Sequence, residues 1–446
     1  SCLDRNVQAT EPRSSPTLYI VPDTRDALWR IAQRFYGDPS RPMLTIGVTG
    51  TNGKTTTTHL LQKILVAWGK PTLIVGTLGA WIEYPDGARQ TLAQEGEFTT
   101  PEVYQLQALL TTARESGAEA VVMEVSSHAL DQRRADGVHF DAGVFTNLTQ
   151  DHLDYHGTMD AYAAAKLRLF TDLAEQSAKP FKAVINIDDE WGRRFAARAK
   201  GPVYTYGQSE SAQVQAVDVE YGLDGLRFAV RSALIASEGR AGDEGTLALP
   251  LIAPYNLNNA LAAVATALAL GVPLEVVRRG LARLEQVPGR FQRAPIDAEY
   301  EVIVDFAHTP DALQRVLDAA RMLHPTRLTV LFGCGGDRDA TKRPVMGRIA
   351  AERADRVILT SDNPRTEDPQ AILEQILAGV PDALRHKVAL VEVDRRRAIE
   401  YALHTAQRGE LLLLAGKGHE PYQIIGTQKL PFSDIEAVKE AVGAKR

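Results

Sequence analysis

The segment Gly47-Val48-Thr49-Gly50-Thr51-Asn52-Gly53-Lys54-Thr55-Thr56 has the residue types and spacing to hold a chain of phosphates. Its glycines let backbone N–H groups approach phosphate oxygens, Lys54 can reach the outer phosphates, and the Thr55 hydroxyl can hold a magnesium ion. The strict P-loop spacing places glycine at position 48, where valine stands, so the loop is a variant of the general form. Gly-rich strand-to-helix turns also occur without a ligand, but Lys-Thr-Thr at a helix start favours nucleotide binding. On this feature alone kinases, ATPases, GTPases and ligases all stay open.

The elements that must position this loop are legible around it. Leu44 to Val48 reads as a strand, and Lys54 to Trp68 as the helix that the loop opens. Short apolar runs then alternate with helix-length amphipathic segments almost throughout, the pattern of parallel sheets covered by helices on both faces. Further strands are expected at Glu119 to Val125, Ala142 to Asn147 and Ala183 to Ile187. Between Val214 and Leu249 the pattern turns to strict alternation broken by Gly and Asp, which predicts antiparallel hairpins on the same unit, with a loop over Gly239 to Gly245. Helices over Asn256 to Leu270 and Pro273 to Leu284 close this part. After Pro288-Gly289-Arg290 a second series begins, with strands near Val302 to Phe306, Leu328 to Phe332, Arg356 to Leu359, Ala389 to Val393 and Leu411 to Ala415. The fold class is therefore α/β: a central P-loop-type, mostly parallel sheet domain with an antiparallel hairpin extension over residues 41–286, then a Rossmann-like α/β domain over 287–446. Residues 1–40 are too few for a domain and read as an entry segment ending in a helix at Ala27 to Phe35.

Composition narrows the partners. The 446 residues carry 50 Lys and Arg against 56 Asp and Glu, a formal charge of -6, the wrong sign for a protein that neutralises phosphate backbones. Nucleic acid is thus not expected as a partner, and Arg133-Arg134 and Arg395-Arg396-Arg397 read as short solvated runs. Two cysteines, Cys2 and Cys334, are too few for a disulfide framework and suit a reducing cytoplasm. The longest apolar runs are strand-sized and the first residues lack a signal-peptide core, so no membrane insertion is expected.

Thr-Gly-Thr-Asn-Gly-Lys-Thr-Thr resembles the ATP loop of the Mur ligases, and the motifs that follow keep that family's order over nearly all of residues 41–446. Glu124-Val125-Ser126-Ser127-His128 and Thr146-Asn147-Leu148-Thr149-Gln150-Asp151-His152-Leu153-Asp154 each follow a strand, so Glu124 and His152 are expected at the ligand-binding edge of the sheet. A carboxylate and an imidazole there, with Thr55, can hold Mg2+ whose remaining ligands are phosphate and water. Lys166, in Ala163-Ala164-Ala165-Lys166-Leu167, reads from sequence alone as an ordinary surface lysine. The resemblance implies that it is carbamylated by carbon dioxide and ligates a second magnesium ion. It also implies Lys54, Glu124, His152 and Lys166 as catalytic residues. For ATP it implies Gly50, Thr51, Asn52, Gly53, Lys54, Thr55 and Thr56, with Asn256 and Asn259 beside adenine, Arg290 toward phosphate and Asp305 toward ribose. Asn256 and Asn259 read by themselves as helix-capping residues. Thr99, Thr100, Ser126, Gln132 and Arg134 match positions that grip a UDP-linked muramoyl dipeptide, although Phe98 stands where asparagine is common; on the ATP side Ala253 replaces a usual glycine before Asn256, and Gln292 a frequent glutamate after Arg290.

The last third carries Gly333-Cys334-Gly335-Gly336-Asp337-Arg338-Asp339, Asp362-Asn363-Pro364-Arg365 and Gly416-Lys417-Gly418-His419-Glu420, each after a strand. Arg338 and Arg365 can each take a carboxylate with two parallel hydrogen bonds, and Glu420 can take an ammonium. By themselves Asn and Pro at 363 and 364 could mark only a turn. The set resembles the diaminopimelate-adding branch of the family, which implies binding by Arg338, Asp362, Asn363, Pro364, Arg365, Gly416 and Glu420. The expectation is an ATP- and Mg2+-dependent ligase of peptidoglycan precursor synthesis, acting as a cytoplasmic monomer on small-molecule substrates, its two domains closing about a hinge near Val287 to Arg290. Alternatives are a lysine- or ornithine-adding enzyme, a folylpolyglutamate synthase, or a non-catalytic nucleotide-binding homologue. The family's separate N-terminal domain for the uridine diphosphate end is mostly absent from the sequence.

Overall fold

The computed structural model describes residues 19–94, 99–222, 225–235 and 245–443. Phe98, Cys2, most of the expected 239–245 loop and the start of the 1–40 segment lie outside these residues; Gly245 itself opens a strand. Among the described residues the strands form an eleven-stranded sheet, a six-stranded sheet and a two-stranded hairpin.

In the large sheet, Leu44–Thr49 is central, paired in parallel with Ala120–Glu124 on one side and Ala142–Phe145 on the other. Parallel pairing continues outward through Lys182–Asn186 and Val203–Gly207 to Val214–Gly222, and on the opposite side to Thr72–Gly76. These central strands are apolar at successive positions because both faces are covered: Ala120–Glu124 is buried at every residue. One face packs against the helices Lys54–Ala67, Asn256–Ala269 and Leu274–Ala282, the other against a second apolar cluster that includes Val103–Glu115 and Met159–Leu167. Gly225–Ser232 and Gly245–Leu249 add the expected antiparallel extension. A second antiparallel pair, Gly79–Glu83 with Arg89–Ala93, finishes the other edge and was not expected.

The smaller sheet runs Gln292–Arg293, Glu301–Asp305, Glu410–Ala415, Arg327–Phe332, Arg356–Thr360, Val388–Glu392, parallel except for its first short pair. Apolar clusters cover both its faces. The structure thus has the α/β class read from the pattern, with elements within a few residues of their expected limits. The first helix, Thr24–Phe35, starts earlier than expected because the Asp23 carboxylate accepts from the N–H groups of Arg25 and Asp26 and caps it. Among the described residues no helix is long and apolar enough to cross a membrane.

The helix Lys54–Ala67 is buried around almost its whole circumference, and Gly280 lets its neighbour approach so closely that an added Cβ would lie 2.5 Å from Ile64 Cα. His59, inside this packing, holds the Thr55 carbonyl at 2.7 Å. Burial lowers its imidazole from 6.5 to about 4. The unfolded chain therefore takes up a proton that the folded chain refuses, so stability falls as pH drops from 6.5 toward 4 and this group has no effect above that window. The loss should reach roughly 3 kcal/mol below pH 4. Urea unfolding of His59→Gln should show a flatter profile across the window; an unchanged slope would rule His59 out as its source.

Candidate active site

The loop after Leu44–Thr49 is held from several sides. Gly50, at φ +149, has no room for a side chain, since a Cβ would lie 1.9 Å from Thr146 Oγ1. Gly53, at φ +88, turns the chain into the helix, with Asn259 Oδ1 2.2 Å from where a Cβ would stand. The Asn52 N–H donates to Asn147 Oδ1 at 3.1 Å, and Thr51 Oγ1 lies 3.1 Å from the Tyr162 hydroxyl. Lys54 Nζ donates to the carbonyls of Gly50 and Thr51 at 2.9 and 2.7 Å.

Lys166 is buried, with 1% of its surface exposed, and also donates to the Gly50 carbonyl at 2.9 Å. One carbonyl thus accepts from two lysines. Burial lowers the pKa of Lys54 and, with the Lys54 charge beside it, pushes that of Lys166 well below the usual lysine range.

A cavity of about 490 Å³ opens over the loop and gathers residues from both sheets. From the large sheet come Thr51 to Thr56, Thr99, Glu124, His152, Asn258 and Asn259, and from the small one Arg290, Asp305, Phe306 and His308. Glu124 Oε1 accepts from the Thr77 N–H at 3.0 Å and Oε2 from its hydroxyl at 3.2 Å. His152 stands at φ +54, its ring 4.8 Å from that of His128. Partial burial lowers its imidazole to about 4 against the pull of Asp151, with His128, Lys54 and Lys166 adding to the lowering.

Arg290 Nη2 donates to Thr55 Oγ1 at 3.2 Å across the cleft, while its Nε is buried without a partner. Asp305 accepts from the N–H groups of Phe291 and Ala307, which fixes its carboxylate; burial raises its pKa. A second residue reaching across is Asp311, whose Oδ2 accepts from Asn52 Nδ2 at 3.2 Å and Thr149 Oγ1 at 3.1 Å.

Asn256 is buried without lining the cavity; its Oδ1 accepts from Asn259 Nδ2 at 3.0 Å. Asn258, which sequence reasoning passed over, lines the cavity with an unpartnered Oδ1. Next to Glu124, substrate-motif residues form one hydrogen-bonded group. Thr100 Oγ1 donates to the Glu124 carbonyl and accepts from the Ser126 N–H, while Ser126 Oγ caps a short helix by accepting from Ala129. Arg134 donates to the Thr100 carbonyl at 3.0 Å and to Gln132 Oε1.

The three C-terminal motifs follow Arg327–Phe332, Arg356–Thr360 and Glu410–Ala415, and so share the edge from which Phe306 and His308 reach the cavity. The His419 and Phe306 rings lie 5.0 Å apart, linking the last motif to the cavity wall. Arg365 Nη1 donates to the Gly336 carbonyl at 2.8 Å, and a Cβ on Gly335 would meet both Arg365 Nη1 and Arg338 Cγ. Asp362 and Asn363 are buried, and Pro364 sits against Gly336. Glu420 Oε2 accepts from Lys417 Nζ at 2.8 Å and Asn363 Nδ2 at 2.9 Å. Its partner is therefore already a cation of this chain, which sequence reasoning missed; the surrounding glycines and histidine gave no sign that Lys417 is buried.

Two sheets whose parallel strands turn their ligand-binding edges to a common cleft, with a phosphate-type loop on one side and Arg290 and Asp305 on the other, define an α/β enzyme of the nucleotide-binding kind; Arg338 and Arg365 do not line that cleft. Residues 48–267 match the Mur ligase middle domain and residues 289–418 the glutamate ligase domain of Mur ligases. The UDP-N-acetylmuramoyl-L-alanyl-D-glutamate–2,6-diaminopimelate ligase of Gloeobacter violaceus is 46% identical over 99% of this chain and 85% of its own length. That of Synechococcus elongatus is 47% identical over 93% and 80%. The chain belongs to the Mur ligase family. A solved structure of a ligase with the same name is 35% identical, covering 96% of this chain and 84% of the other, with a TM-score of 0.65. Folylpolyglutamate synthase of Mycobacterium tuberculosis, complexed with ADP and AMPPCP, shares the fold alone, at 18% identity and a TM-score of 0.67 over 94% and 95% of the two chains.

Proposed function

We propose that this chain joins meso-diaminopimelate to UDP-N-acetylmuramoyl-L-alanyl-D-glutamate with ATP, through an acyl phosphate, in peptidoglycan precursor synthesis. The observation that carries the reading is the shared cavity: Lys54, Glu124 and His152 on one wall, Arg290 and Asp305 on the other. The phosphate chain of ATP lies along the N–H groups at the start of Lys54–Ala67, with Lys54 and Arg290 beside the transferred group. Asn258 and Asn259 face the base and Asp305 the ribose. Thr99, Thr100, Ser126, Gln132 and Arg134 hold the dipeptide so that its D-glutamyl carboxylate meets the outer phosphate. Carboxylate oxygen attacks phosphorus and ADP leaves; the amine then attacks the acyl carbon and phosphate leaves. Exclusion of water by the closed cleft protects the acyl phosphate between the two events.

Among the described residues no three His, Cys, Asp or Glu side chains cluster as a metal cage. The donors present suit magnesium nonetheless, since that ion is held by one or two hard oxygens with phosphate and water supplying the rest. Thr55, Glu124 and His152 would hold it, and it would neutralise charge on the phosphates. Lys166 is a buried, readily deprotonated amine, the form that adds to carbon dioxide, and its carbamate would place an anion beside Lys54. Residues 41–286 serve as the nucleotide-binding domain and 287–446 as the amino-acid domain, in a cytoplasmic monomer.

The test is phosphate release with the muramoyl dipeptide nucleotide, ATP and magnesium, comparing diaminopimelate, lysine and ornithine. Diaminopimelate should support turnover at least about a hundredfold better in kcat/KM than the other two, whose missing carboxylate leaves the guanidinium groups of Arg338 and Arg365 without a counter-ion. Equal rates with lysine would overturn the assignment of the amino acid.

A further inference from the structure

Lys417 follows Glu410–Ala415 and Gly416 and is fully enclosed, with no exposed surface. Its Nζ donates to Glu420 Oε2 at 2.8 Å and Asn363 Oδ1 at 3.1 Å, and lies 3.8 Å from Asp362 Oδ1. That Asp362 oxygen is buried and has no hydrogen-bond partner. Asn363 Oδ1 also accepts from the Ile424 N–H, and Gln423 Nε2 donates to the Asp362 carbonyl, so the following hairpin, Tyr422–Ile425 with Gln428–Pro431, clamps the same loop. Beneath it, Arg395 and Asp434, both without exposed surface, pair at 2.7 Å, and Arg395 donates to the carbonyls of Ser361 and Ala415. That pair balances itself. Lys417 is left with two carboxylates around one ammonium, on the loops that carry Arg365 and Glu420.

From this arrangement we infer that Lys417 is a positioning residue for amino-acid selection, holding Asp362 and Glu420 so that together they offer one unbalanced negative charge to the distal ammonium of the incoming diamino acid. The inference rests on the amino-acid site proposed above. A buried ammonium persists only where anions and hydrogen bonds compensate it, and here those anions are members of the proposed pocket. Without it the two carboxylates repel, Glu420 turns outward toward water, and the site loses its means of recognising the second amine. Substrates without that amine should notice little.

The experiment compares diaminopimelate with 2-aminopimelate, which keeps both carboxylates and the reacting amine but lacks the distal one. In Lys417→Met the preference for diaminopimelate in kcat/KM should fall about tenfold, the worth of a charge-assisted hydrogen bond, mainly through KM. KM for ATP and for 2-aminopimelate should stay within about threefold, since neither uses the lost charge. Glu420→Gln should lower the preference similarly, and the double variant no further. Lys417→Gln, which keeps hydrogen-bonding atoms without charge, should resemble Lys417→Met. Equal losses for both amino acids, an unchanged preference in Lys417→Met while Glu420→Gln lowers it, or failure of both Lys417 variants to fold would overturn the role of Lys417 alone. An unchanged preference in Glu420→Gln would overturn the amino-acid site with it.

Discussion

Lys54→Met should lower kcat/KM for ATP about a thousandfold, as measured by phosphate release, with the midpoint of thermal unfolding little changed. The size follows from removing a preorganised cation from the place where charge develops during phosphoryl transfer. The fold should tolerate the change because the loop does not depend on the amine. Its turn is set by Gly50 and Gly53, and by Asn52 against Asn147. Among the described residues Lys54 Nζ donates to two carbonyls of its own loop; with methionine in its place that of Gly50 keeps its bond from Lys166, and Thr51 lies at the cavity. Lys54→Arg should not restore the rate, since a planar fork does not fit a space shaped for a compact ammonium. A loss below tenfold in Lys54→Met would show that the transferred phosphate lies elsewhere.

Arg365→Ala should raise KM for diaminopimelate between about thirtyfold and a thousandfold, the usual effect of truncating one partner of a hydrogen-bonded charge pair that the bound substrate would enclose, and leave KM for ATP within about threefold. The backbone at this residue is unusual for a side chain with a Cβ, at φ +51. The conformation is imposed by the hairpin: the Arg365 N–H donates to the Ile424 carbonyl, and the Arg365 carbonyl accepts from Gly426. Alanine keeps both bonds, so only the guanidinium is lost. Arg365→Lys should recover part of the affinity, having charge without the two-pronged geometry. Equal increases for both substrates would remove Arg365 from the amino-acid pocket.

How much of this was legible in the sequence depended on whether burial leaves a mark on residue type. The core strands did, because Val, Ile, Leu and Ala run without interruption where both faces are covered, as in Leu411 to Ala415. The phosphate loop did, because glycine is required where no other residue fits. Gly79–Glu83 and Arg89–Ala93 did not: the second is exposed at nearly every residue and shows no apolar face. The hairpin of Tyr422–Ile425 was hidden because its partner strand, Gln428–Pro431, is exposed at every residue. Lys166 and Lys417 look like solvated lysines until their surroundings are known, since pattern cannot tell an enclosed ammonium from an exposed one. Asn258 was overlooked beside Asn256 and Asn259 because three amides in four positions cannot be ranked without knowing which way the helix faces.

Polar bonds span the cleft from Arg290 to Thr55, and from Asp311 to Asn52 and Thr149. When these bonds let go their polar atoms are at once rehydrated, whereas Ile252, Ala253 and Tyr255 pack beside Phe291 in the apolar cluster of the second sheet. If departure of the finished tripeptide limits turnover, the rate should accordingly respond to ionic strength through this charged latch, as well as to agents that loosen the apolar seam beside it.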